Sequence, residues 1–399
     1  MAVQTEYGKQ KTTILESIGR RAKFRKDTVF NNITYAVDMD LLSECYQELD
    51  GKKALGIDGV TKEVYGKKLE DNLQDLLARI RRRAYKPQAS KLVEIPKEDG
   101  STRPLAISCF EDKIVQLAVS KILTAIFEPQ FLPCSYGYRE GVNGHEALRA
   151  LMKYSNQFPS GATLEIDLRK YFNTIPHEKL QGILAEKISD KRFLKLVEKV
   201  IRAPVMVNGK AELNRLGVPQ GSVASPILSN IYLHHVVDNW FSEVSKSHLK
   251  GKAEMVRFAD DMVFVFQMSE DAERFYNVLP KRLGKYGLKL HEEKIELTKI
   301  RPQGSGRSRE ERRTPTDIQI LGISMLLGEG STRSMAPEIQ EPIRSNDEQT
   351  QKSAKISQEK SKSRNRSHHK AGQNDCGGMG KLPRHLRQSK ASKFVYSNE

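Results

Sequence analysis

Cysteine is scarce, and its spacing says more than its number. The 399 residues hold four, Cys45, Cys109, Cys134 and Cys376, and no two of them form a C-x-x-C pair. That pattern excludes a disulfide framework and a zinc ribbon, and Cys376 with His368 and His369 is too sparse a group to bind metal. Long apolar runs are lacking too. The richest stretch, Ile114 to Phe127, is broken by Gln116, Lys121 and Thr124, well short of the roughly 18 residues that a bilayer span needs. Met1 to Lys11 is polar and has neither the apolar core nor the small-residue cleavage site of a secretory signal. These absences predict a cytoplasmic protein with reduced cysteines and no membrane partner. No internal repeat of solenoid period is present.

What is abundant is positive charge. Lys plus Arg number 66 against 50 Asp plus Glu, a net charge of +16, and the pI is about 9.5. Such a balance favours a polyanionic partner, nucleic acid first.

From Leu41 to Tyr85 apolar residues recur at three- and four-residue steps, with Leu69, Leu73, Leu76, Leu77 and Ile80 on one face. That stretch ends in Arg79, Arg81, Arg82 and Arg83, a run suited to solvent or phosphate. Lys91 to Ile95 and Arg103 to Ile107 alternate around the turn Pro96-Lys97-Glu98-Asp99-Gly100 and predict a β-hairpin. Helices are expected at Glu111–Phe127, at about His145–Tyr154, from Pro176 through Lys187, at Pro226–Phe241 and at Glu270–Tyr286. Extended segments are expected at Ala162–Leu168, at Met255–Phe266 as strand, turn and strand, at Leu288–Leu297 and at Ile318–Leu326. Interleaved strands and helices predict an α/β fold. The composition then changes: Ser331 to Glu399 holds 14 Lys plus Arg, 7 Asp plus Glu and only seven Ile, Leu, Val or Phe. So little apolar surface does not offset the entropy of ordering, so a disordered tail is expected there.

The chemistry concentrates in acids. In Arg257-Phe258-Ala259-Asp260-Asp261-Met262 two adjacent carboxylates sit between apolar strand runs, where mutual repulsion calls for a neutralising cation. An isolated Asp-Asp pair is most often an exposed turn. A second acid changes that reading: in Glu165-Ile166-Asp167-Leu168, Asp167 ends an apolar strand just before a turn. If the two strands lie side by side, Asp167 and Asp260 meet, and a pair of divalent cations held there would serve in-line phosphoryl displacement.

Phe258-Ala259-Asp260-Asp261 resembles the Tyr-x-Asp-Asp box of reverse transcriptases, and the order of blocks upstream is similar to that of group II intron reverse transcriptases. Those blocks are Ile95-Pro96-Lys97 through Arg103-Pro104-Leu105, Phe131 to Arg139, Glu165 to Asn173, and Gly217-Val218-Pro219-Gln220-Gly221-Ser222 with Ser225-Pro226. Gly287-Leu288 through Lys294 and Leu321-Gly322 follow the acidic box. Together they cover roughly residues 50 to 325, and their combination is far more specific than any one of them.

The resemblance implies a right-hand polymerase fold with helical fingers (41–160) and an antiparallel-sheet palm (161–328, with 176–215 a helical insertion). An N-terminal extension (1–40) would precede it and a low-complexity basic tail (329–399) would follow, the family's thumb or maturase domain being absent or incomplete. It implies RNA-directed DNA synthesis from dNTPs on a primer, with an RNA template that includes the host intron RNA among the candidates. Two Mg²⁺ ions would be bound by Asp167, Asp260 and the Leu168 carbonyl with Asp261 in support, and Mn²⁺ suits the same oxygens. Lys97 and Arg103 match the residues that clamp the triphosphate, for which the arginine fork is well shaped. Phe172 matches the aromatic that excludes a 2′-hydroxyl, whose burial without a partner costs on the order of 1–3 kcal/mol; a core Phe is the alternative. Gln220 matches a turn that approaches the nucleobase. Phe258 stands where the family most often has Tyr, which removes a hydroxyl and keeps the packing. Other readings stay open: an RNA-binding splicing cofactor, a reverse transcriptase recruited to another task, and a defective remnant.

Overall fold

Two four-stranded sheets carry the architecture, and helices cover one of them. A computed structural model describes residues 4–96, 100, 102–300, 317–320 and 323–326. The elements in chain order are helices α1 (Gln4–Phe24), α2 (Met39–Glu48), α3 (Lys62–Gly66) and α4 (Leu69–Arg81), then the hairpin β1 (Ser90–Pro96) and β2 (Thr102–Ile107). Helices α5 (Phe110–Phe127) and α6 (Gly144–Gln157) lead to β3 (Ala162–Ile166), followed by α7 (Tyr171–Thr174), α8 (His177–Ala185), α9 (Lys191–Ile201), β4 (Val205–Val207) and β5 (Lys210–Glu212). Then come α10 (Ser225–Leu233), α11 (Asn239–Ser247), β6 (Ala253–Phe258), β7 (Asp261–Phe266), α12 (Ser269–Lys285), β8 (Glu296–Lys299), β9 (Asp317–Ile320) and β10 (Ile323–Leu326).

The first sheet runs β2-β1-β4-β5 and the second β6-β7-β3-β8. In the second, β7 lies between β6 and β3, antiparallel to both. Met262 to Phe266 are all buried, as a strand covered on both faces requires. One face meets Ala147, Leu148 and Leu151 of α6 in a small core with Val256, Val263 and Val265. The other faces the main core, where Phe241, Phe264, Phe266 and Phe275 pack ring on ring at 4.9–6.3 Å. Helix α6 starts on a capping box in which Asn143 and Glu146 satisfy each other's backbone N–H groups, so its entry onto the sheet is set locally.

Three sequence expectations change. The stretch 176–215 is helical only to Ile201; beyond it β4 and β5 form a hairpin, and β4 joins β1 in parallel. The cause is legible in hindsight: Asn208 and Gly209 both take positive φ (49° and 77°), the two-residue turn that Asn-Gly favours. Ile318–Leu326, expected as one strand, is the antiparallel pair β9 and β10. Leu288–Leu297 holds a 3₁₀ turn at Glu292–Lys294, and its only regular strand is the start of β8. Lys97, the Leu321-Gly322 block and the tail 329–399 lie outside the described residues.

Candidate active site

Strand register brings the acids together. Ile166, the last residue of β3, is paired with Met262 of β7, so Asp167 leaves the sheet beside the β6–β7 turn, where Phe258 pairs with Asp261 across Ala259 and Asp260. The Asp167 carbonyl accepts from His291 N–H at 2.9 Å, and Leu168 is bridged to Leu290. Leu168 is buried.

The turn is held from beneath by a residue to which the sequence reading gave no role. Arg257 is fully buried and donates to both carboxylate oxygens of Asp238 (2.8 and 2.7 Å), to Asn230 Oδ1 (2.9 Å), to Ser135 Oγ (2.6 Å) and to the Ala259 carbonyl (2.9 Å). Ala259 has φ +56°, a conformation that costs a non-glycine residue about 1–2 kcal/mol. Asn230 also donates to the Gly137 carbonyl at 2.8 Å. A Cβ at Gly137 would lie 2.2 Å from the Ala259 nitrogen, so only glycine lets that backbone press against the turn. Asp238 ends a π-helical turn, His234–Asp238, between α10 and α11, the kind of local widening that re-aims side chains at functional sites. The Arg257 charge holds the Asp238 carboxyl below the usual range against the opposing effect of burial, which acts first. A charged residue between Val256 and Phe258 in a mostly apolar strand and an acid after Val236 and Val237 were the available signals.

Charge at the site is balanced in part. Burial, and then the negative charge of Asp167, raise the Asp260 pKa, while Arg103 and Arg257 oppose the rise. Lys294 sets its ammonium on Asp167 Oδ2 at 2.6 Å. Arg103 lies on β2 and is exposed; its charge acts on both Asp260 and the phenol of Tyr138. Tyr138, half exposed at the rim, is raised by desolvation and then by Asp260. The structure therefore gathers Asp167, Asp260, Asp261 and Arg103, and adds Tyr138 and Lys294.

Phe172 is half-buried, not in the core, and meets Tyr171 and Tyr138 edge-on with centroids at 5.3 and 6.4 Å. The loop of Gly217 to Gly221 packs directly behind it: Val218 N–H donates to the Phe172 carbonyl at 2.7 Å. At Gly217 (φ +81°) a Cβ would come within 2.5 Å of that same oxygen. His177 Nε2 lies 2.6 Å from the Gly217 carbonyl, and Asn214 Nδ2 donates to it at 2.9 Å. Gln220 is tied to β2 through its own carbonyl, which accepts from Ala106 N–H at 2.7 Å. Its side-chain Oε1 is buried without a protein partner among the described residues, a cost that a ligand donor would remove.

Among the described residues no three His, Cys, Asp or Glu side chains are grouped so as to hold a metal ion by themselves. Mg²⁺ does not need such a group, since it is usually held by one or two carboxylates with substrate phosphates completing its shell. The carboxylates of Asp167 and Asp260 supply hard oxygen donors of that kind, and the Lys294 ammonium on Asp167 marks a place where a cation is favourable. The donor set fits the ion.

The family described as reverse transcriptase (RNA-dependent DNA polymerase) matches residues 95–325, more than half of the chain. The protein belongs to that family, and its architecture is the right-hand polymerase fold. Among its relatives is the group II intron-encoded protein LtrA of Lactococcus lactis, 31% identical over 227 residues, 56% of this chain and 37% of that protein. Protein YkfC of Escherichia coli is 35% identical over 211 residues, 52% and 54% of the two chains. An uncharacterized 91 kDa protein in a cob intron of Schizosaccharomyces pombe is 30% identical over 258 residues, 63% and 32%. The chain thus spans between a third and about half of the length of these relatives. A solved telomerase of Candida tropicalis, truncated from its C-terminal domain, superposes with a TM-score of 0.45 at 14% identity, over 67% of this chain and 59% of that one. Among the described residues no helix is long and apolar enough to cross a membrane.

Proposed function

We propose that the protein is an RNA-directed DNA polymerase of the group II intron type, which joins a dNTP to the 3′-hydroxyl of a primer on an RNA template. The observation that carries this is the pairing of β3 with β7, which sets Asp167 beside the turn of Asp260 and Asp261 with the charge of Arg103 acting on the same acids. Fingers (41–160) and palm (161–328) are the domains that this reading assigns.

Asp167, Asp260 and the Leu168 carbonyl would hold the metal ions, with Asp261 in support. When bound, Mg²⁺ or Mn²⁺ lowers the cost of charge on the attacking and leaving oxygens. The chain's own residues do the positioning. Arg103, with Lys97, grips the triphosphate and offsets charge that develops on it. Phe172 lies under the sugar and leaves a 2′-hydroxyl without a partner. Gln220 offers its buried oxygen beside the base.

Primer extension on poly(rA) with oligo(dT) and Mg²⁺, run beside Asp260→Ala, tests the reading. Extension by the unmodified chain alone supports it; no extension by either, with the fold intact, rejects it. The net charge of +16 favours a second reading, an RNA-binding splicing cofactor. Retained intron RNA binding without extension would select that reading.

A further inference from the structure

Away from the acids, a cavity of about 340 Å³ opens where the 3₁₀ turn Ile33–Ala36, the end of α4 and α9 meet. Five cations line it, Arg81, Arg83, Arg192, Lys195 and Lys199, and no Asp or Glu does. Among the described residues no carboxylate pairs with Arg81, Arg83 or Arg192, while Lys195 meets Glu198 at 2.7 Å. Like charges gathered on a concave wall focus a positive potential and attract an anion. Two arginines of the run that closes α4, Arg81 and Arg83, thus line a hollow, whereas Arg79 pairs with Asp75 and Glu111 and Arg82 donates to the Ala78 carbonyl.

The wall is also built rigidly. Lys199 donates to the carbonyls of Arg83 (2.7 Å) and Tyr85 (2.6 Å), and burial followed by the charges of Lys195 and Lys86 lowers its pKa. Arg83 is held in a left-handed conformation, φ +60°, which a bulky residue keeps only where its surroundings over-determine it. Tyr35, 54% exposed, stands on the same wall. A cationic groove with an exposed aromatic ring is the combination that binds single-stranded nucleic acid, phosphates on the cations and a base on the ring. The volume admits a nucleotide and not a duplex.

We propose that this cavity is a second RNA site, which holds a single strand by its phosphates on Arg81, Arg83, Arg192 and Lys195 with one base against Tyr35. The choice of RNA rests on the nucleic-acid reading above; the anion chemistry does not.

The test is fluorescence anisotropy of a short single-stranded oligo(rU) on the full chain across a salt series, with inorganic tripolyphosphate as competitor. Arg192→Glu with Lys195→Glu should weaken binding about tenfold or more and flatten the slope of log K against log salt by about 1.4, at about 0.7 for each lost phosphate contact. Tyr35→Ala should weaken it about fivefold or more, and Tyr35→Phe should retain it. Lys246→Glu with Lys250→Glu is the charge-matched control, expected to change affinity less than about threefold, and circular dichroism melting checks each fold. Equal losses in the control, or an unchanged affinity and slope in the charge reversal, overturn the proposal. So does displacement of the RNA by tripolyphosphate with no effect of Tyr35→Ala, which identifies a small-anion site. Because binding is read without dNTPs, a chain that fails primer extension yet shows these losses keeps the site and loses only the polymerase reading.

Discussion

Arg257 grips both oxygens of Asp238 at 2.8 and 2.7 Å, and the same guanidinium reaches the Ala259 carbonyl at 2.9 Å. A fully buried ion pair therefore supports the turn on which Asp260 sits. Two buried charges cost desolvation that only good geometry and further hydrogen bonds offset, and here Asn230 and Ser135 provide them.

Breaking that pair leaves a charge buried and alone. Arg257→Met or Asp238→Asn should each cost about 3–5 kcal/mol of stability, read as a lower midpoint in urea unfolding. At temperatures where the variants remain folded, extension should still fall, because the Ala259 conformation has lost its anchor. A variant of wild-type stability and activity would refute the role.

Gly137→Ala places a methyl 2.2 Å from the Ala259 nitrogen. Backbone must shift on one side of the contact, with an expected loss of about 1–3 kcal/mol and reduced extension. By contrast Gly182→Ala, in a helix with open space around it, should stabilise slightly, by up to about 1 kcal/mol. Thermal melts of the two variants side by side check both signs.

Stability should also depend on pH through Asp112. This buried carboxyl accepts from the Tyr85 hydroxyl at 2.6 Å and from Gln88 N–H at 3.0 Å, yet burial pushes its pKa up from 3.8 to about 6. Between those values the folded chain holds a proton that the unfolded chain has released. Stability therefore falls as pH rises through that window, by about 1.4 kcal/mol per unit and on the order of 3 kcal/mol in all. Asp238, Asp190 and Asp271 are held below the usual 3.8, so their contribution is lost only on acidification below that value. Urea unfolding at pH 4.5 and pH 7 should show the difference shrink in Asp112→Asn; an unchanged difference would assign it elsewhere.

Phe172→Ala should relax sugar discrimination. With the ring gone, the ratio of dNTP to rNTP incorporation is expected to fall about tenfold or more, equivalent to the 1–3 kcal/mol that an unpartnered hydroxyl costs. Steady-state extension with each nucleotide set measures it. Asp167→Asn and Asp260→Asn should abolish extension, and Asp261→Asn should reduce it less.

Local pattern was enough for much of this protein. Alternation predicted the β1–β2 hairpin, helical periodicity predicted α5, α6 and α12, and the acidic box was readable because carboxylates flanked by apolar strand residues are conspicuous. Within the helical insertion expected over 176–215, the β4–β5 hairpin was not anticipated. The strands are three residues long, and the Asn208-Gly209 turn was the only strong mark they left.

Arg257 shows where local pattern stops. Its neighbours identify a buried strand, which makes a charged residue conspicuous, but its partners come from residues 135, 230, 238 and 259. The cationic cavity likewise joins a turn near residue 35, the end of α4 and α9. Residue type and short-range order by themselves determined the β1–β2 hairpin, β3, β6 and β7, most of the helices, the acids and the excess of positive charge, since these depend on side-chain chemistry and on periods of two and 3.6. Only the tertiary structure decided that Asp167 lies beside Asp260, that Arg257 anchors their turn and that five cations share one hollow. Pairing register and packing set those distances, and both are made by residues far apart in the chain.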